Sequence, residues 1–271
     1  MTRCNLRTLG RNLLLALGLL AAGIAAAQND TPVGTPAPEV LSALARANLA
    51  KPREKAPFDL TGMWFVDLSK GFNSFMFGPP YPKFKPAAQA SYDAARKATK
   101  AGRAYHDDIG QCYPAGMPMI MTRVWPIAMI QLPTAIYMVS GFEDSLRIIY
   151  LDGRPHTAAD IVVPSYNGES IGHWEGKTLV VDTTSFISAH HWIDDGIPVS
   201  KDFHIVERMR LLDHGDDLEI KYVMTDPQNW VGEWTSTKRW KRAEDQDITE
   251  VECTPDLDKH LPSTQSKLNI R

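Results

Sequence analysis

Residues Glu169–Arg208 read ESIGHWEGKTLVVDTTSFISAHHWIDDGIPVSKDFHIVER. Gly172–Trp174, Thr178–Thr184 and the run opening at Phe203 carry the apolar, β-branched pattern of strands, and Glu175-Gly176-Lys177 is a turn between the first two. Strands joined by so short a turn pair antiparallel. The same stretch holds four histidines, two tryptophans, seven acidic residues and one arginine. Strand cores are normally apolar, so ionisable groups at alternating positions need partners, solvent or a task. A functional site is therefore expected here.

The pattern continues on both sides. Leu60–Val66, Ala128–Leu132, Ala135–Phe142, Leu146–Leu151, Phe203–Leu212, Leu218–Thr225 and Glu233–Arg242 read as further strands, separated by turn signals such as Leu132-Pro133-Thr134, Glu143-Asp144 and Asp213-His214-Gly215-Asp216. Eight to ten sequential antiparallel strands in one chain favour a closed barrel, because closure removes exposed edges. The expected fold is mostly β, an antiparallel lipocalin-like barrel over residues 58–271 with helices on its N-terminal side. Those helices are Pro38–Ala50, inside an arm of residues 28–57, and Pro86–Ala101, with proline at its start, Gly102 as its stop and a small-residue face of Ala87, Ala90, Ala94, Ala95 and Ala98.

At the front, Arg3, Arg7 and Arg11 precede the apolar run Leu13–Ile24 and then Ala25-Ala26-Ala27-Gln28, the layout of a cleaved secretory signal peptide at residues 1–27. The run falls short of the roughly 20 residues that span a bilayer. Removing the three arginines leaves 26 basic against 32 acidic residues, a net charge of −6. No basic patch suggests nucleic acid and no other segment suggests a membrane span. Cleavage also removes Cys4, leaving Cys112 and Cys253, which in a periplasmic or secreted chain most simply form one disulfide. A metal pair or two free thiols are the alternatives. A bridge would close about 140 residues, worth roughly 4–5 kcal/mol in the chain-entropy model.

Alternation sorts the candidate chemistry by face. Glu207 shares an apolar row with Phe203, Ile205, Met209 and Leu211, so it points inward, where it either takes up a proton or is held by an inward arginine such as Arg147. His204, Arg208 and Arg210 take the other face. His204 is the candidate general base, Glu207 its acid or partner, and Arg147 or Arg208 the stabiliser of a developing oxyanion. Trp174, Trp192, His191, Asp194 and Tyr150 are candidate substrate contacts, with the aromatic loop Phe72–Phe84 as a cover. His190 and His191 point in opposite directions on extended chain, and neither HxH nor HExxH appears, so no metal is assigned. A zinc or copper site joining one of them to His173 or His204 is the residual alternative. No cofactor motif, GxSxG elbow or phosphate loop is present.

The block order resembles a large group of uncharacterised secreted bacterial proteins with the pattern L-T-G-x-W, C-x-P-x-G-M-P, R-x-I-Y-x-D-G-R-P-H, S-x-G-x-W-E-G-x-T-L-V-V-D-T, W-[LI]-D and L-H-x-x-E-R. Here these are Leu60–Trp64, Cys112–Pro118, Arg147–His156, Ser170–Thr183, Trp192–Asp194 and the run His204–Arg208. The resemblance implies a lipocalin-like fold and no settled activity. The chain departs from it at Val199, where a histidine often stands, and at the doublet His190-His191. Two functions are expected. One is an exported acid/base enzyme of lyase, isomerase or hydratase type acting on a small apolar or aromatic molecule. The other is a non-catalytic carrier of an apolar ligand. A metalloprotein is a weaker third.

Overall fold

The computed structural model describes residues 40–71, 74–102, 108–109, 111–212, 215–249 and 253. The signal-peptide reading, the first part of the arm and Phe72 of the aromatic loop lie outside the described residues. The strands are β1 (Gly62–Val66), β2 (Lys83–Phe84), β3 (Ile127–Gln131), β4 (Ala135–Ser140), β5 (Ser145–Tyr150), β6 (Glu169–Glu175), β7 (Thr178–Thr184), β8 (Trp192–Asp194), β9 (Ile197–Pro198), β10 (His204–Leu212), β11 (Asp217–Thr225), β12 (Trp230–Val231) and β13 (Trp234–Arg242). Nine of them close into a barrel in the order β1-β13-β11-β10-β7-β6-β5-β4-β3. β1 closes it, pairing with β13 through Val66 and Trp240 and with β3 through Trp64 and Ile127. All neighbours are antiparallel except β5 and β6, which run parallel because residues 151–168 cross over between them.

Register sends alternate side chains inward. Trp64, Trp240, Met129, Ile136, Ile149, Ile220 and Tyr222 are fully buried and fill the middle of the barrel. Burying each such side chain contributes about 1.5–3 kcal/mol. One mouth carries the β3–β4 and β6–β7 turns, and residues 51–59 lie across it. The other mouth receives the long connections. Phe77 enters there and stands edge-on to Tyr222 (5.2 Å) and Trp234 (6.2 Å).

Helix α2 (Pro86–Lys100) forms as expected, with proline at its first turn. Its packed face is not the expected alanine stripe. Ala88 and Ala95 are buried, while Ala87, Ala90 and Ala94 face solvent. Tyr92 meets Tyr81 (5.1 Å) and Phe84 (5.5 Å) with tilted rings, so the larger ring sets the face that docks. The β8–β9 turn meets this face so closely that a Cβ on Gly196 would lie 2.5 Å from that of Ala95. Of the expected helix Pro38–Ala50, α1 (Arg46–Leu49) is a single turn whose N-cap, Ala45, offers no side-chain acceptor. The hairpin β8–β9 forms between Thr184 and His204, where no strand was expected. Cys112 and Cys253 are bridged, with Cα atoms 5.7 Å apart. No helix among the described residues is long and apolar enough to cross a membrane.

Candidate functional site

Inside the barrel, pairing of Met138 with Arg147, Ser170 with Thr183 and Glu207 with Tyr222 places one polar group among apolar rows. Arg147 Nη1 donates to Glu207 Oε1 (3.1 Å), and Nη2 donates to Glu207 Oε2 and to Thr183 Oγ1 (3.1 Å). Nε donates to Ser170 Oγ (3.1 Å). The fork is thus satisfied from within the wall. Burial, reinforced by the Glu207 charge, raises Tyr222 well above the ordinary tyrosine range. The two side chains are 3% and 0% exposed, although Arg147 also lines a cavity of about 510 Å³ on that side of the wall.

His204 faces the outer wall, on the side opposite Glu207. The structure therefore does not bring together the expected base and its acid partner, because adjacent strand positions of odd spacing diverge. His204 instead ends a chain of contacts. Its Nε2 meets Asp182 Oδ2 (2.9 Å), Asp182 Oδ1 meets His156 Nε2 (2.9 Å), and His156 Nδ1 meets Glu169 Oε2 (2.9 Å). Glu169 also accepts from the amide (2.8 Å) and hydroxyl (2.5 Å) of Thr157. The bond to Asp182 raises His204, and the same bond holds Asp182 below its ordinary value. Arg208 also points outward, to Glu175 (2.7 Å), in solvent. Tyr150 lies beneath the Arg154 guanidinium (4.0 Å), and Trp174 meets Phe58 edge-on (4.8 Å) at the strapped mouth.

The doublet splits as its spacing predicts. His190, with φ 55°, stacks flat on Tyr113 (3.9 Å, 8°) and bonds Asp108 (3.2 Å). His191 turns in between Tyr166 and Phe186, bonds the Ile187 carbonyl (2.7 Å) and is pushed down to about 4 by burial. Its Nε2 is buried without a hydrogen-bond partner among the described residues. Among the described residues no three His, Cys, Asp or Glu side chains are placed to hold a metal ion.

The open mouth assembles a different cluster from loops. Trp192 Nε1 donates to Asp108, and with Ile109, Ala115, Met119, Arg123 and His190 these residues line a cavity of about 250 Å³. Arg123 follows the single 3-10 turn Met119–Thr122. Its guanidinium lies over Phe142 (5.6 Å), makes no ion pair within 4 Å among the described residues and keeps a buried Nε without a hydrogen-bond partner. Burial lowers its pKa, and Asp195, Asp194 and Glu143 oppose that. On β8, Asp194 accepts one backbone bond, from Asp195 (2.8 Å), and burial pushes it up to about 6. Glu143, in a left-handed conformation (φ 53°), accepts from Ala115 N (3.0 Å) with Oε2. Its Oε1 is buried and unpartnered, and burial raises the group to about 7. Arg96, on α2, brings a second buried Nε without a partner.

Of the expected contacts, only Trp192 lines this cavity; Asp194 precedes its lining residue Asp195, and Glu143 lines a second cavity of about 510 Å³ that shares Pro114 with it and is also lined by Arg147 and Tyr150. Arg123, Glu143 and Arg96 were not expected, since they sit on turns and a helix where strand alternation says nothing. The sequence offered only Glu143-Asp144 as a turn; the positive φ of Glu143, a conformation that clusters at functional sites, is visible only in the structure. No family model matches the chain, and no curated protein matches it.

Proposed function

We propose that this chain is an exported small-molecule enzyme performing acid/base chemistry at the open mouth of the barrel, of lyase, isomerase or hydratase type. We also place it in the secreted group its motifs resemble. The observation that carries the reading is the pair Glu143 and Asp194, raised to about 7 and about 6, within electrostatic reach of the Arg123 guanidinium, which makes no ion pair within 4 Å among the described residues. Carboxyl groups tuned toward neutrality exchange protons in both directions, and such tuning gathers at active sites. Glu143 acts as donor, Asp194 as acceptor, and Arg123 stabilises negative charge developing on a substrate oxygen. Two blocks of the resembled pattern, Cys112–Pro118 and Trp192–Asp194, meet here, which supports the placement.

Size and walls narrow the substrate. The cavity beside Arg123 and Trp192, about 250 Å³, lies below the range of about 300–1,000 Å³ usual for drug-sized ligands, and Glu143 lines the neighbouring one of about 510 Å³. Ile109, Met119 and Trp192 offer apolar and aromatic contact to a molecule of about one ring. The test is turnover of a panel of single-ring phenolic and cyclic terpenoid compounds by the mature protein. Glu143→Gln and Asp194→Asn are each expected to lower kcat about 10²–10⁴-fold. Turnover that survives both substitutions overturns the proposal.

A further inference from the structure

Of the histidine doublet, His191 is taken up by packing and His190 is not. A left-handed turn at His190 (φ 55°) sends its ring to the wall of the cavity of about 250 Å³. Non-glycine residues occupy that region sparsely, and such positions gather at functional sites. One short turn meets the ring twice. Asp108 Oδ1 lies 3.2 Å from His190 Nδ1, and the Tyr113 ring stacks flat on the imidazole (3.9 Å, 8°). Backbone bonds from Tyr113 N to Asp108 O (2.9 Å) and from Cys112 N to Ile109 O (2.8 Å) close that turn, and the Cys112–Cys253 bridge ties it down. Trp192 Nε1 donates to the second oxygen of Asp108. The carboxylate is thus held from behind while it orients the imidazole.

A carboxylate accepts and does not donate, so the Asp108 bond puts the proton of a neutral ring on Nδ1 and leaves the lone pair on Nε2. Nε2 has no hydrogen-bond partner among the described residues, and 46% of the side chain is exposed, so this nitrogen is open to a ligand. His190 and Arg123 both line the cavity, whereas Asp194 does not. Among the described lining residues none is a serine, threonine or cysteine, so no side-chain nucleophile competes with proton transfer. Asp195, which also lines the cavity, offsets Arg123, and Asp108 is engaged by His190 and Trp192. That balance favours a neutral molecule on which charge develops during reaction.

We infer that His190 is the base that first takes a proton from the substrate in this cavity, with Asp108 as its positioning residue, and that the substrate is a neutral carbon acid of about one ring. The inference rests on the reading of acid/base chemistry at this mouth and names the group that meets the substrate there. Nε2 removes the proton from carbon, the C–H electron pair moves into a new π bond, and the negative charge comes to rest on an oxygen facing the Arg123 guanidinium. The imidazolium then returns its proton to product or solvent. Ile109, Met119 and Trp192 supply the apolar walls for the ring.

A nitrobenzisoxazole tests this without the natural substrate. A base takes the proton from the carbon beside its nitrogen, the electron pair forms a nitrile, the N–O bond breaks, and a coloured phenolate is released. Saturable ring opening, faster than with free imidazole at equal concentration, is expected. His190→Asn tolerates the left-handed turn but lacks the basic nitrogen, and is expected to lower kcat about 10²-fold or more. His190→Gly is expected to be as slow and to regain rate when imidazole is added to the buffer. Asp108→Asn is expected to lower kcat with KM little changed, as loss of positioning does. Ring opening no faster than with free imidazole, or a rate that survives in His190→Asn, overturns the assignment. Ring opening that depends on His190, beside panel turnover that survives Glu143→Gln and Asp194→Asn, overturns the carboxyl roles alone.

Discussion

The Arg147 guanidinium grips both carboxylate oxygens of Glu207 within the barrel, with 3% and 0% of the two side chains exposed. Two opposite charges taken out of water offset each other only while both are present. Arg147→Met is therefore expected to cost about 3–5 kcal/mol by leaving Glu207 uncompensated, whereas Arg147→Met/Glu207→Leu recovers most of that loss. Denaturant unfolding of the three proteins checks it. A single variant within about 1 kcal/mol of the parent contradicts the pair's structural role.

The raised carboxyls of the mouth predict a fall in stability with rising pH. Glu143 moves from 4.5 to about 7 and Asp194 from 3.8 to about 6. Between each pair of values the folded state holds more protons than the unfolded one, so unfolding free energy declines as pH rises through that window. Glu143→Gln removes the higher-pH part of the decline and Asp194→Asn the lower. Thermal melts across the acid-to-neutral range read the slopes. A Glu143→Gln protein that keeps the parent slope toward neutrality shows that Glu143 is not the group being buried.

His204 and Asp182 titrate in the opposite sense. His204 is raised above 6.5 by its bond to Asp182, so its contribution is complete below 6.5 and is lost as pH climbs through the folded value. Asp182, lowered from 3.8 chiefly by the same bond, contributes above that value and loses it as pH falls through the folded one. The pair therefore supports the fold most between 3.8 and 6.5. With over a third of each side chain in solvent, His204→Ala is expected to cost less than about 1 kcal/mol. Turnover at the mouth should be retained. Abolished turnover in a well-folded His204→Ala protein would return the catalytic role to the outer wall.

Period-2 alternation made the barrel legible, because its strands bury one face and wet the other: Ile205, Glu207 and Met209 inward, His204, Val206 and Arg208 outward. The same rule exposed the Arg147–Glu207 pair as a possible internal bridge. His204 and Glu207 were nonetheless expected to act together as base and acid, and the structure keeps them on opposite sides of the wall. What alternation does not reach is the placing of loop residues. Arg123 stands beside Phe142 and within reach of Asp194 because a 3-10 turn, a positive-φ turn and a hairpin meet at one mouth. Those contacts join residues 71 positions apart, which local pattern cannot encode. Helix α2 shows the same limit, since its docking face follows the rings of Tyr81, Phe84 and Tyr92 and not its own alanine periodicity.

The bridge from Cys112 to Cys253 links stability to the mouth. It spans 141 residues of sequence, so the chain-entropy model sets its stabilisation near 5 kcal/mol, and native bridges commonly measure about 2–5 kcal/mol. Cys112 precedes Pro114 and Ala115, which line the cavity, and the Ala115 amide holds Glu143 Oε2 (3.0 Å). Loosening this segment releases one of the bonds that hold the proposed proton donor in place. Cys112→Ser/Cys253→Ser is thus expected to lower unfolding free energy by about 2–5 kcal/mol. At temperatures where the variant remains folded, it should also lower kcat more than it raises KM, because positioning and not binding is impaired. Parallel unfolding and steady-state measurements separate these effects. A variant that loses stability while keeping its kcat shows that the mouth holds its geometry without the bridge.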